Sequence, residues 1–444
     1  MAFPDLQAEV DRDCARLIVS APRRTGTLVR IVGLMLEARG IVATVGETCN
    51  IRTADGGAVE AEVVGFSDKT TFLMPYGHPA GIGPGSAVVV QGGSFKVKLG
   101  RSMLGRVLDG RCAPLDGKPA PLCDDEHGLQ GFPLNPMERG PIHEPLDVGV
   151  KAINGVLTLG KGQRIGLMAG SGVGKSVLLG MITRYTKADV VVIGLIGERG
   201  REVNEFIRET LGPEGLAKSV VIAAPADVSP VLRLRAGNVA HLIAEYFRDQ
   251  GLNVLLLIDS LTRVAHAQRE IGLAVGEPPT MKGYPPSVFA LLPKMIERAG
   301  VGRNGHGSIT AIYTVLMEGD DTADPIVDIA RASLDGQVML SRSLADAAHY
   351  PAIDLSGSIS RIMPAICERS ALAAANRFRR MWTLYQQNQD LIKVGAYQSG
   401  ANAELDEAIS RRPDMERFLC QEMHEGVDLG ASAALLAAFA GQQG

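Results

Sequence analysis

The stretch Ala169-Gly170-Ser171-Gly172-Val173-Gly174-Lys175-Ser176 decides the fold. Ahead of it, Arg164-Ile165-Gly166-Leu167-Met168 has the apolar, branched character of a buried parallel strand. Behind it, Val177-Leu178-Leu179-Gly180-Met181-Ile182-Thr183-Arg184-Tyr185 reads as a helix packed on a sheet. Strand, glycine-rich turn, Lys-Ser and helix, in that order, is the context in which the pattern signifies a phosphate-binding loop. The glycines let successive backbone N–H groups converge on an anion at the positive end of the helix. Gly170, Ser171, Gly172, Val173, Gly174, Lys175, Ser176 and Val177 are therefore predicted to hold a nucleoside triphosphate. Lys175 would reach the β- and γ-phosphates, and the Ser176 hydroxyl would hold Mg2+. The strict pattern opens with Gly, where this chain has Ala169.

Downstream, apolar runs at 190–196, 220–224, 254–258 and 309–315 alternate with helical segments, which predicts a parallel α/β sheet. Each run gives way to polar residues, and ligands of open parallel sheets bind beyond the carboxyl ends of the strands. Asp259 ends one such run, where a carboxylate can bind Mg2+; the competing reading is a cap on the helix that Ser260-Leu261-Thr262-Arg263 begins. Glu198, in Gly197-Glu198-Arg199, ends a strand expected to lie beside the loop strand. A carboxylate there can polarise an attacking water and take its proton, or else pair with Arg199 or Arg201 on a solvated turn. Arg361, in Ser358-Ile359-Ser360-Arg361-Ile362-Met363, reads by itself as a surface ion pair. An arginine supplied by an adjoining subunit could instead neutralise charge developing on the γ-phosphate.

Upstream, residues 26–91 carry short β segments at 27–32, 41–45, 58–64, 70–74 and 87–90, broken by Gly, Pro and Asp. That spacing predicts a small closed barrel. Its aromatics, Phe66, Phe72 and Tyr76, are few and it has no basic run, so core filling or subunit contact is favoured over stacking on single-stranded nucleic acid. Residues 1–20 carry an isolated helical pattern (Leu6, Val10, Leu17, Ile18), either a frayed start or a docking helix for a partner. Residues 92–150 are rich in turns and lead into the phosphate loop. Beyond about 365 the pattern is helical, with Leu372, Phe378, Met381, Trp382 and Tyr385 on one face, then Leu405, Ala408 and Ile409, then a small-residue helix over 431–440. The predicted organisation is a partner-binding segment at 1–20, a β-barrel at 21–92, a nucleotide domain at 93–368 and a helical domain at 369–444.

Composition narrows the class. Of 444 residues, 46% are apolar and 21% charged, as in a soluble globular protein, and a net charge of -4 disfavours nucleic acid as the main partner. No apolar run reaches the length of a membrane span, and the N-terminus lacks the basic start and apolar stretch of a secretory signal. Six scattered cysteines (Cys14, Cys49, Cys112, Cys123, Cys367, Cys420) form no ligand pattern and read as reduced thiols in cytoplasm.

From about residue 25 onward the chain resembles the catalytic subunits of the rotary ATP synthase superfamily, and within it the flagellum-specific type III export ATPases. The blocks that carry this are 166–181, 194–206, 256–300 (with Glu277-Pro278-Pro279-Thr280-Met281-Lys282-Gly283-Tyr284-Pro285-Pro286-Ser287) and 349–363. Ala169 fits, because export ATPases commonly read Ala-Gly-Ser-Gly-Val-Gly-Lys-Ser. The flagellar branch, rather than the injectisome relative, is indicated by Val177-Leu178-Leu179-Gly180-Met181.

The resemblance implies that Lys175 and Glu198 are catalytic, that Asp259 is the Walker B acid and that Arg361 is a trans arginine finger. It places Tyr350, in His349-Tyr350-Pro351-Ala352-Ile353-Asp354, against the adenine, with Tyr397 as a second aromatic at the base. Gln337 stands where many members carry His. It further implies a homohexameric ring hydrolysing ATP with Mg2+ to drive export of flagellar subunits. The implied partners are a stalk-like regulator at the N-terminal segment, a central stalk protein, chaperone–cargo complexes and the export gate. The implied location is cytoplasmic, peripheral at the inner membrane. A hexameric RNA translocase would need a basic, aromatic groove on the barrel, and a noncatalytic ring subunit would lack Glu198.

Overall fold

The computed structural model describes residues 24–132, 134–317 and 323–441, so the helical pattern read at 1–20 lies outside the described residues. The chain divides into two compact units, Met1–Phe95 and Lys96–Gly444.

In the first unit six strands close into an antiparallel barrel: β1 (Thr25–Val32), β2 (Met35–Arg39), β3 (Glu47–Arg52), β4 (Ala58–Ser67), β5 (Thr70–Pro75) and β6 (Ala87–Ser94). Their spatial order is β1-β2-β5-β4-β3-β6, with β1 also pairing β6. Alternation of side chains sends Leu28, Leu36, Cys49, Ile51, Val63, Leu73 and Val88 into a closed interior. One predicted strand is corrected. Residues 41–45 are not a strand; the pairing segment is Glu47–Arg52. Here the Glu47 N–H donates to the Thr44 carbonyl (3.1 Å) and the Glu47 carboxylate accepts from the Thr44 N–H (2.6 Å). That turn leaves Val42 and Val45 71% and 65% exposed, while Ile41 and Ala43 pack against the barrel core without joining its ladder.

The second unit is built on one sheet. Its strands are β7 (Arg106–Leu108), β8 (Arg164–Ala169), β9 (Val190–Ile196), β10 (Ser219–Ala224), β11 (Asn253–Asp259), β12 (Gly300–Val301), β13 (Ser308–Leu316), β14 (Gly336–Leu340) and β15 (Ile353–Ser360). Their order is β15-β14-β8-β13-β11-β9-β10-β7, with β12 paired to β13. From β14 through β7 every neighbour on this path is parallel, and only β15 runs antiparallel. Strands covered on both faces must be apolar throughout, which is why 190–196 and 254–258 read as unbroken runs.

Helices cover the sheet: α1 (Lys151–Val156), α2 (Lys175–Tyr185), α3 (Pro230–Asp249), α4 (Leu261–Ala274), α5 (Pro325–Ser333) and α6 (Arg342–Asp346). They are followed by α7 (Arg369–Lys393), α8 (Ala403–Ser410), α9 (Arg412–Leu419) and α10 (Leu429–Gly441). The predicted apolar face of α7 is buried through Phe378, Met381, Trp382 and Tyr385, where Phe378 meets Phe418 and Phe439 at ring separations of 5.1 and 4.9 Å. These residues share one apolar core with α1, α2 and the strands. At roughly 1.5–3 kcal/mol for each large side chain fully buried, that continuity fixes the C-terminal helices against the nucleotide sheet. Among the described residues no helix is long and apolar enough to cross a membrane, and no cluster of metal-ligating side chains is present.

Candidate active site

The loop between β8 and α2 departs from the strand after Ala169. That residue is fully buried, pairs with Leu316 in β13 and accepts the Met317 N–H through its carbonyl at 3.0 Å. It belongs to the strand, not the turn, so an L-residue with a Cβ is accommodated where the strict pattern has Gly. The turn itself needs glycine. Gly172 and Gly174 stand at φ +76° and +86°, and Gly174 caps α2 immediately before Lys175.

Lys175 extends from the first turn of α2 to the carboxyl ends of the strands. Its ammonium ion-pairs with Asp259 and lies 3.5 Å from Glu198 Oε1. Asp259, the last residue of β11, is 4% exposed, and its Oδ1 accepts the Thr314 hydroxyl at 2.7 Å. Glu198 stands just past the end of β9. Contrary to the sequence expectation, β9 does not neighbour the loop strand: β13 and β11 lie between β8 and β9. Glu198 still enters the site because β9 pairs with β11 in a register that sets Leu195 opposite Asp259. Both carboxylates thus lie at one edge of the sheet, and the lysine bridges to them.

The electrostatics follow from this packing. Burial raises the Glu198 pKa above the usual carboxylate range; Lys175 opposes the rise, and the Asp259 charge adds to it. Glu198 Oε1 is buried without a hydrogen bond. The Lys175 ammonium stands at ion-pair distance from it. Gly197 is required beside it: its φ is +69°, and a Cβ there would fall 2.8 Å from Arg263 Cβ.

The surrounding cleft, about 760 Å³, is lined by the phosphate loop, Glu198, Arg263, His266 and Arg342. Sequence reasoning did not select the last three. Arg263 had a signal, since it sits one helical turn past Asp259; its Nε is buried without a hydrogen bond. Arg342 had none: it arrives on α6, and its Nη2 donates to the Ser171 carbonyl at 2.9 Å. His266 stacks on Tyr284 at 6.1 Å and is held down to about 4 by burial, then by Arg269, Arg263 and Arg233.

His266 gives a pH prediction. An imidazole in the unfolded chain takes up its proton near 6.5, whereas the folded chain refuses it to about 4. Between those values the unfolded state binds more protons, so this contribution is complete above pH 6.5 and is lost as pH falls. Unfolding by urea at pH 7 and pH 5 should show stability falling with acid, with on the order of 1–2 kcal/mol of the loss due to His266. His266→Gln should flatten the slope by that amount; an unchanged slope contradicts the assignment.

Tyr350 flanks a second recess of about 460 Å³, continuous with the loop through Gly172 and Gly174. Its ring lies against the loop backbone, 3.4 Å from where a Gly174 Cβ would stand. Val177, Leu178 and Met181 of α2 line the same recess, and Cys420 to Met423 form its far wall. Tyr397 is not among the lining residues; its hydroxyl donates to Asp406 at 2.9 Å and to the Asn402 carbonyl at 3.1 Å. The wall that sequence reading gave to Tyr397 comes from the segment after α9.

Arg361 lies elsewhere, because β15 is antiparallel. Leu340, at the nucleotide end of β14, pairs with Ile353, while Gly336, at its start, pairs with Ser360. Tyr350, preceding β15, is therefore at the nucleotide edge, and Arg361, following it, is at the opposite edge about 25 Å of strand away. Arg361 is exposed and donates to the Leu334 and Arg331 carbonyls at 3.2 and 3.4 Å. Gln337 serves the sheet, donating to the Gly357 carbonyl at 2.8 Å and accepting from Arg331 at 2.9 Å.

A phosphate loop on a parallel sheet, with its lysine between two strand-end carboxylates, defines a P-loop nucleoside triphosphatase site. Three family profiles match in sequence: "ATP synthase alpha/beta family, beta-barrel domain" over residues 28–92, "ATP synthase alpha/beta family, nucleotide-binding domain" over 149–360 and "T3SS EscN ATPase C-terminal domain" over 367–438. The "Flagellum-specific ATP synthase" of Pseudomonas aeruginosa is 58% identical, covering 93% of this chain and 92% of its own. That of Salmonella typhimurium is 55% identical over the same shares. Among solved structures, the assembled ATPase EscN in complex with its central stalk EscO, from the enteropathogenic E. coli type III secretion system, superposes with a TM-score of 0.85 at 41% identity. That match covers 93% of this chain and 99% of that one. The chain belongs to the ATP synthase alpha/beta family, among the flagellar and type III secretion ATPases.

Proposed function

We propose that this ATPase drives the flagellar protein export apparatus, hydrolysing ATP at sites completed by a neighbouring subunit. The observation that carries the reading is the Lys175–Asp259–Glu198 cluster at one sheet edge, with Arg361 at the other. Bound triphosphate draws the Lys175 ammonium toward the β- and γ-phosphates and frees the carboxylates. Ser176 and Asp259 would hold Mg2+, whose charge neutralises the β- and γ-phosphate oxygens. The set fits such a cation, since Asp259 and Glu198 bring two carboxylates against a single ammonium. Water attacks the γ-phosphorus in line with the bond to the β-phosphate oxygen, which breaks, and Glu198 takes the proton. A buried carboxylate with a raised pKa suits that task better than a solvated one. Arg361 of a neighbour then meets the charge on the γ-phosphate oxygens, which makes the working form a closed ring, read as a homohexamer.

The wider assignment follows the relatives. Identities of 58% and 55% to flagellar proteins, against 48% to the type 3 secretion system ATPase of Xanthomonas euvesicatoria and 41% to EscN, favour the flagellar over the injectisome branch. The reading gives residues 1–20 to a stalk-like regulator, 21–92 to the barrel, 93–368 to the nucleotide domain and 369–444 to the helical domain. A central stalk, chaperone–cargo complexes and the export gate complete the partners, with the ring cytoplasmic and peripheral to the inner membrane. The test is phosphate release with ATP and Mg2+, with and without RNA. Turnover should be independent of RNA and should fall at least ~10²-fold in Lys175→Ala, whose ATP binding also weakens. Near-parent turnover in that variant sinks the site, and strict dependence on RNA sinks the export reading.

A further inference from the structure

The wall of the recess facing Tyr350 is a coil, residues 420–428 between α9 and α10. No ladder or helix holds such a segment, so its position depends on individual hydrogen bonds. Gln421 gathers them. It is 7% exposed; its Oε1 accepts the Lys151 N–H at 2.7 Å, and its Nε2 donates to the Gly149 carbonyl at 2.7 Å and the Glu425 carbonyl at 2.8 Å. Its own N–H donates to the Tyr350 carbonyl at 3.0 Å. Both amide hydrogens are thereby spent on backbone: the side chain ties the coil to the entry to α1 and to the turn at Glu425, while the residue's own N–H ties it to the Tyr350 loop. Cys420 adds a weaker tie, with Sγ 3.5 Å from His349 Nδ1. With both amide hydrogens consumed, Gln421 has no donor left to read the edge of a base. It can act only through what it holds.

We propose that Gln421 is the positioning residue of the base recess, its side chain anchoring the coil wall opposite Tyr350 to the entry of α1 and so setting the affinity for the nucleoside half of ATP. The proposal rests on the reading of this recess as the base site. The phosphate half is assigned to other elements, the β8–α2 loop and the ends of β9 and β11, and the hydrogen bonds of the Gln421 side chain go to none of them. Removing its amide should therefore weaken the grip on the base and spare the grip on the phosphates. A hydrophobic replacement leaves buried carbonyls and an N–H unpaired, so the coil moves to satisfy them.

The experiment uses the full chain with Gln421→Met, which keeps length and volume, and Gln421→Glu, which keeps the acceptor for Lys151 and removes both donors. KM for ATP should rise about ten- to hundred-fold, with kcat within about three-fold. The inhibition constant of inorganic tripolyphosphate, which has no base, should stay within about two-fold. A merely structural role would move both constants together, and that result overturns the proposal, as does an unchanged KM in a folded variant. Should neither variant fold, hydrogen exchange on the parent chain decides. The Lys151 and Gln421 amides should slow with a non-hydrolysable ATP analogue and not with tripolyphosphate; equal slowing with both, or with neither, contradicts the role. Tyr350→Ala separates the two layers. If it leaves KM unchanged, the base-site reading itself fails; if it raises KM while the Gln421 variants do not, only the present inference fails.

Discussion

Arg361→Ala should lower ATP turnover by about 10³–10⁵-fold, or roughly 4–7 kcal/mol of transition-state stabilisation, while leaving ATP binding intact. The size of the effect comes from where the charge appears. As the γ-phosphoryl group transfers, its oxygens gain charge that Lys175 alone does not neutralise, and a guanidinium placed against them in a water-poor site acts at low effective dielectric. The antiparallel course of β15 puts Arg361 at the wrong end of the sheet to serve its own chain. Binding should survive because the loop, Lys175 and Asp259 are untouched. Equilibrium binding of a fluorescent ATP analogue, measured beside steady-state phosphate release, separates the two quantities. Normal turnover in this variant removes Arg361 from the mechanism.

Glu198→Gln should bind ATP yet lose about two to four decades of turnover. The substitution keeps the shape and hydrogen-bonding reach of the side chain and removes its capacity to take a proton. It also removes one carboxylate from the pair around Lys175, so ATP should bind at least as tightly as in the parent. In the parent, burial raises the Glu198 pKa, and activity should fall on the acid side as that carboxyl protonates. This acid limb should vanish from the residual activity of the variant. Parent-like turnover would make Glu198 structural.

How far the sequence led depended on whether a feature was local. The phosphate loop was legible because strand, turn and helix follow one another within Arg164–Ala169 and Lys175–Tyr185, and Asp259 because a run of apolar residues ends on a carboxylate. The order of the strands was not legible. Glu198 was assigned to a strand beside the loop, yet β13 and β11, far downstream in sequence, insert between them. The failed strand at 41–45 has the same cause in miniature: apolar composition is visible, whereas a turn closed by Glu47 is not. Thr314, Arg342 and the wall at Cys420–Met423 reach the site from segments with no motif of their own. Tyr397 is given to the base by the resemblance alone, and its hydroxyl is engaged locally by Asp406.

The central claim, that each site is completed by a neighbour, is tested most directly by mixing two inactive chains. Lys175→Ala has a broken pocket and a sound finger; Arg361→Ala has the reverse. In an exchanging equal mixture, about a quarter of oriented interfaces pair a sound pocket with a sound finger if assembly is random. Phosphate release from the mixture should therefore rise to a measurable fraction of the parent rate, above either variant alone at the same total concentration. If subunit exchange is demonstrated and the mixture stays at that baseline, Arg361 does not act across an interface.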